Sequence, residues 1–232
     1  MKALVFDSGP LISLTLNNLL GILKPLKQRF KGEFYITQAV YDEVVGHPLQ
    51  TRRFKFEAFQ VLKLIREGTL KIYESATLKQ KTLEIIGTAN SIYFIHGQPL
   101  RVFHYAEMSV MAACVEVEAQ AAIVDEQMTR IVLENPSRVL DLLKKRMHAI
   151  PSVNTSSLFA LQNKMGGVKV LRSTEIAAIA FELGILSDYL TQSPDVKQPR
   201  AELLDAILWG LKINGCAISQ KEIRQIVKIE TK

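Results

Sequence analysis

The chain has 232 residues, 48% of them hydrophobic, with a formal net charge of +6 from 29 Lys plus Arg against 23 Asp plus Glu. A globule of this length buries roughly 70–75% of its unfolded surface, so the composition describes an ordinary folded protein and excludes bulk disorder. The basic excess favours a polyanionic partner, although a merely soluble basic protein carries the same balance.

Residues 2–6 (KALVF) read as a short buried strand, ended by the turn-like Asp7-Ser8-Gly9-Pro10. Pro10 suits the first turn of a helix, and Leu11, Ile12, Leu14, Leu16, Leu19, Leu20 and Leu23 carry the apolar repeat onward. A basic stretch with Lys24, Lys27, Arg29 and Lys31 leads into a second strand, EFYIT. Thr37 is placed to cap the helix QAVYDEVV, which sets Glu43 about two turns in. Arg52 to Glu67 is expected as a helix with Phe56, Phe59, Leu62 and Ile65 on one face, followed by a strand at 69–75.

A helix is expected at about 78–95, stopped near Gly97 and Pro99. The next, at about 105–118, has Glu107 in its first turn and is otherwise apolar or small, the pattern of a buried helix. AAIVDE at 121–126 is a short strand running into Asp125, and QMTRIVLE continues as a helix to Asn135-Pro136. Two helical stretches, a strand at 168–173 and a helix at 174–184 follow. YLTQSPDVKQPR, marked by Pro194 and Pro199, reads as a linker to two terminal helices, the second opened by Ser219 and Glu222 at capping-box spacing.

Strands alternating with helices predict a three-layer α/β/α fold around a central parallel sheet, where ligands collect beyond the carboxyl ends of the strands. Asp7 and Asp125 stand at such ends, and Glu43 and Glu107 near helix openings. A carboxylate beside an apolar segment is costly unless something neutralises it. A hard divalent cation, Mg2+ or Mn2+, is the simplest agent, and four converging acids would suit metal-assisted phosphodiester cleavage.

The chain resembles the PIN-domain nucleases. The resemblance rests on VFDSGPLISL for the first acid, VYDEV for Glu43, AEMSVMAA for the helix-opening Glu107, and IVDEQMTR for the strand-ending Asp125. It covers about residues 1–134, with 168–184 closing the sheet, and departs from the family where Ala106 replaces a glycine before the third acid. It implies a nuclease domain over 1–187 with a helical insertion at about 135–166, then a linker and helical extension over 188–232. It also implies an endoribonuclease that hydrolyses RNA with a Mg2+- or Mn2+-activated water, or else an RNA-binding or assembly factor without catalysis. Asp7, Glu43, Glu107 and Asp125 are the implied metal ligands, with Glu126 in reserve. Arg130 is placed to touch a phosphate or orient a carboxylate, and Ser8 and Thr129 bring hydroxyls near the site; Ser8 also suits a helix cap. RNA is the implied partner, DNA remaining open, and homodimers or an antitoxin-like protein are further partners of the family type.

Other motifs add little. The four histidines, His47, His96, His104 and His148, lack metal-ligand spacing, which argues against zinc. No P-loop, G-x-G-x-x-G, G-x-S-x-G or H-E-x-x-H stretch occurs. Basic clusters fall at Arg52-Arg53-Lys55, at Lys79 and Lys81, and at Lys144-Lys145-Arg146, with Phe54 and Phe56 the aromatics placed for base stacking. Trp209 is expected to pack the terminal helices. Cys114 and Cys216 read as buried free thiols of a reducing cytosol. The apolar start, interrupted by Asp7, Pro10 and Asn17-Asn18, is not read as a signal peptide. With no run of eighteen apolar residues, the expectation is a cytoplasmic protein without a membrane span.

Overall fold

A computed structural model describes residues 2–147, 150–165, 167–190 and 195–231. Five parallel strands form the central sheet: β1 (Ala3–Phe6), β2 (Glu33–Thr37), β3 (Lys71–Tyr73), β6 (Ala121–Ile123) and β8 (Val170–Leu171), in the order β3-β2-β1-β6-β8. β1 lies in the middle, pairing Leu4 with Phe34 on one side and with Ala121 on the other. Its four residues are all buried, the run expected of a parallel strand covered on both faces.

One face is covered by α7 (Tyr105–Val117), which touches β1, β2 and β6. The small residues Ala106, Ser109, Ala112 and Ala113 are all buried there. On the other face, Phe6 and Phe34 stack with their ring centroids 5.2 Å apart, and Phe30 of α2 (Leu23–Phe30) lies 5.6 Å from Phe34. Helices α1 (Ser8–Leu16) and α11 (Ser173–Glu182) contact each other. The central parallel sheet and its helical layers agree with the α/β/α expectation.

Three elements depart from it. The helix expected over 78–95 ends early, as α6 (Leu78–Ala89). Residues 93–95 instead form β4 (Tyr93–Ile95), antiparallel to β5 (Gln98–Pro99) and to β7 (Ser152–Val153). His96 and Gly97 both adopt positive φ, which is what a tight hairpin turn requires, and the aromatic and β-branched Tyr-Phe-Ile run prefers a strand. The helix expected from Arg52 starts later, as α5 (Lys55–Arg66), because Phe54 stands in left-handed backbone at φ +60°. Its buried residues are Ala58, Val61 and Leu64; of the expected stripe Leu62 and Ile65 pack against the core in part, whereas Phe56 is 72% and Phe59 52% exposed. The third departure is the helix α3 (Gln38–Tyr41), capped by Thr37 as expected, which widens over Asp42–Gly46 into a π turn before a short α4 (His47–Leu49).

Beyond β6 come α8 (Gln127–Glu134), α9 (Pro136–Met147) and α10 (Thr155–Met165). The terminal pair is α12 (Pro199–Ile213), with Leu204, Ile207, Leu208 and Leu211 buried, and α13 (Gln220–Glu230), opened by the Ser219–Glu222 capping box. Trp209 packs against the core there, as expected. Of the linker, residues 191–194 lie outside the described residues, as does His148.

Candidate active site

The adjacent ends of β1 and β6 meet directly: the Asp7 amide donates to the Ile123 carbonyl at 2.9 Å. Asp7 is the N-cap residue of α1 and only 4% exposed. Its Oδ1 is buried with no hydrogen-bond partner among the described residues. Burial pushes its pKa up to about 7, reinforced by the charges of Glu107 and Glu43 and opposed by the amides of Ser8 and Gly9 at the opening of α1.

Glu107, in the first turn of α7, accepts a hydrogen bond from the Thr129 hydroxyl at 3.2 Å. Its pKa is likewise pushed up to about 7, by burial first, then by Glu126, with Glu43 adding to it; the His104 amide and Thr129 work the other way. Glu126, the reserve acid, caps α8, accepting from the Thr129 amide at 2.8 Å beside Glu107. Glu43 stands exposed in the π turn, a distortion that recurs at functional sites. Asp7, Glu43, Glu107 and Glu126 thus share one electrostatic neighbourhood.

Asp125 is placed differently. It is 4% exposed, and both of its oxygens are engaged at the start of α11, by the Ser173 amide at 2.7 Å and the Ser173 hydroxyl at 2.8 Å. Only Gly9 separates it from Asp7: a Cβ on Gly9 would lie 3.5 Å from Asp125 Cβ and 3.8 Å from Asp7 Oδ2. Of the accessory residues, Thr129 is buried, Ser8 opens α1 without capping it, and half-buried Arg130 leaves its Nε without a partner among the described residues. No three His, Cys, Asp or Glu side chains among the described residues stand close enough to hold one metal ion as they are.

Residues that sequence reasoning passed over support the site from behind. Arg172, 5% exposed, is the N-cap residue of α11, its amide donating to Glu175; its guanidinium pairs with Glu175 and Glu222 and donates at 2.9 Å to the Ala217 carbonyl. The Ala217 amide in turn reaches the Asp125 carbonyl at 3.3 Å. Cys216 lies 3.7 Å from the Thr174 hydroxyl, its thiol pushed up to about 11 by burial and by Asp125. The available signal was the Arg172-Ser173-Thr174-Glu175 run before a helix.

An open cleft of about 820 Å³ leads away from Glu43, lined by Gln38, His47, Tyr73, Lys79 and His104 among others, with Ala106 in its wall. Lys81 does not serve this rim; it pairs with the buried Glu116 at 3.0 Å. Lys144 and Lys145 are exposed on α9.

A family model described as a PIN domain matches residues 3–142. The chain belongs to the PIN-domain family. Comparison with curated proteins and with solved structures gives no match. The match runs from β1 into α9 and so includes all four acids that the resemblance picked out, whereas Arg172, Ser173 and Cys216 fall beyond it. This PIN-domain protein therefore has a nuclease-type fold. Among its described residues no helix is long and apolar enough to cross a membrane.

Proposed function

We propose that this PIN-domain protein is a metal-dependent endoribonuclease whose site is built on Asp7, Glu43, Glu107 and Asp125. One observation carries the reading: a buried carboxylate, Asp7, keeps an oxygen without a hydrogen-bond partner among the described residues, within the electrostatic reach of two further acids. A carboxylate in that position is stable as an anion only if a cation joins it. The donors available are carboxylates and hydroxyls, the hard oxygen set that Mg2+ and Mn2+ prefer. Gly9 sits beside both acids, where a Cβ would be in ordinary contact with Asp125 and Asp7. The donor chemistry suits such an ion, and drawing Asp7, Glu43 and Glu107 onto one ion requires their side chains to move from the arrangement described.

Asp7, Glu43 and Glu107 would hold it, with Glu126 beside them and Asp125 held in place by Ser173. When bound, a divalent cation supplies Lewis-acid polarisation of the phosphoryl group and activation of water. The protein's own residues do the rest. Thr129 orients Glu107 through its hydroxyl and Glu126 through its amide, fixing two acids with one residue. Arg130, whose Nε is buried and without a partner among the described residues, would reach a phosphate oxygen only through the exposed part of its guanidinium or by moving outward. Lys79 and the cleft beside Glu43 receive the polyanion.

Incubating the full chain with Mg2+ and total RNA, then sequencing the ends, tests the reading. New ends at defined positions, absent with chelator and absent for Asp7→Asn, are expected. Intact RNA under all conditions would overturn it. A second reading, an RNA-binding factor without catalysis, is favoured by Asp125, whose oxygens are both already engaged by Ser173; tight RNA binding without new ends would select it.

A further inference from the structure

On the other side of Glu43 from the large cleft lies a narrow slot of about 80 Å³, walled by Ile12, Leu16, Val44, Phe54 and Val61 with Glu57 at its edge. Glu43 lines both depressions and forms the ridge between them. The slot is too small to enclose a nucleoside. A flat ring can only lie across its mouth, against the Phe54 side chain.

Three features of this mouth do not serve the fold. Phe54 is held at φ +60°, a backbone conformation that costs a bulky L-residue free energy, yet it remains 41% exposed. Phe56 and Phe59 nearby are more exposed still, on the face of α5 that does not pack. Arg53 places its guanidinium over the Phe54 ring at 4.7 Å, and the ion pairs of the described residues include neither it nor the exposed Arg52 and Lys55. Aromatic faces among unpaired cations, bordering a phosphodiester site, are what single-stranded nucleic acid binds: the rings take bases by stacking and the cations take phosphates. A purely apolar protein partner would leave Arg52, Arg53 and Lys55 unmatched.

We infer that the Phe54 slot is a subsite for one unpaired base of single-stranded RNA, adjoining the scissile phosphate across the Glu43 ridge. This rests on the nuclease reading for what lies beyond Glu43. Glu57, which only accepts hydrogen bonds when ionised, makes the slot favour bases that present an amino group. A duplex, whose bases are already stacked, cannot use it.

The test measures binding of a fluorescent single-stranded RNA decamer by the full chain carrying Asp7→Asn, which keeps the strand uncut. Adding Phe54→Leu, which keeps an apolar side chain but removes the ring, is expected to weaken binding roughly tenfold. Phe54→Trp is expected to retain it, and a duplex of the same sequence to show no difference among the three. Moving a single abasic site along the decamer gives one position with the same roughly tenfold loss, and that loss vanishes in the Phe54→Leu background. Unchanged binding by Phe54→Leu overturns the subsite and leaves the face to a protein partner; equal losses on single strand and duplex, or no binding at all, also overturn it. Cleavage by the otherwise unmodified chain is read in parallel. Cleavage with Phe54-independent binding removes the subsite alone, whereas Phe54-dependent binding without cleavage supports the subsite and removes the nuclease reading.

Discussion

Glu107, at the opening of α7, raises the charge cost of Asp7 at the end of β1, and both carboxyls stand at about 7. Near neutral pH each is only partly ionised in the protein alone. The first prediction concerns that cost. In chelator, Asp7→Asn is expected to raise the melting temperature, because it replaces a buried carboxylate by a neutral group of similar shape; the relief is a few kcal/mol at neutral pH. The same variant is expected to lower RNA cleavage at least about a hundredfold. Differential scanning calorimetry and end-mapping read the two effects separately, and a destabilised variant would contradict the first.

The second prediction is a pH profile. Asp7 and Glu107 have folded pKa values above their ordinary ones, so the native state holds more protons, and stability falls as pH rises from about 4 to about 7. Glu116 and Glu222 behave oppositely, each held at about 2. Burial raises both. In Glu116 the hydrogen bonds from Ser75, Thr77, Lys81 and Tyr73 outweigh it, and in Glu222 those from Ser219 and Arg172 do. Their contribution is present above about 4.5 and lost as pH falls toward 2. Metal-free protein is therefore expected to be most stable in mildly acidic buffer, near pH 5, with Mg2+ flattening the fall toward pH 8. Urea unfolding midpoints across pH 3–8 in chelator check this; a maximum at pH 8 would contradict it.

Asp125 supplies the third. Its anchoring runs through Ser173 to Arg172, and from Arg172 through Ala217 back to Asp125, a closed circuit that includes the loop between α12 and α13. Removing Arg172 leaves the half-buried Glu175 and the Ala217 carbonyl without it, and Arg172→Ala is expected to cost about 1.5–3 kcal/mol. Ser173→Ala keeps the amide and loses only the hydroxyl, costing about 1.5–3 kcal/mol. Because the serine orients an acid of the site, its cleavage rate is expected to fall while RNA affinity holds. Loss of affinity with an unchanged rate would contradict that assignment.

Fourth, Gly32 sits where β2 enters beside β1, and a Cβ there would lie 2.5 Å from the Lys2 carbonyl oxygen. The neighbouring Glu33 amide donates to that same oxygen, so the backbone cannot retreat without losing a ladder bond. Gly32→Ala is expected to destabilise by roughly 1–3 kcal/mol, read from the urea midpoint.

Much of this architecture was legible in the chain. Short β-branched runs such as KALVF and AAIV can only be buried strands when helices flank them, and their ends carried the acids into view. What sequence could not show depended on contacts distant along the chain. Phe56 and Phe59 have the spacing of a core face, yet they stay exposed on a helix that starts only after the left-handed Phe54, while Ala58, Val61 and Leu64 are buried. Tyr93–Ile95 reads as the tail of a helix until β7, some sixty residues later, pairs with it. Ser173 looks like an ordinary helix-opening serine, and its partner Asp125 lies 48 residues away. Periodicity reports local preference; it carries no record of which partner arrives from elsewhere.

The central claim is that Asp7, Glu43 and Glu107 together bind a hard divalent cation, and electron paramagnetic resonance of added Mn2+ addresses it directly. Quenching of the free-ion signal at stoichiometric Mn2+ by the wild-type chain, abolished in Asp7→Asn and weakened in Glu43→Gln and Glu107→Gln, is the expected result. Equal quenching by Asp7→Asn, or no quenching by the wild-type chain, would contradict it.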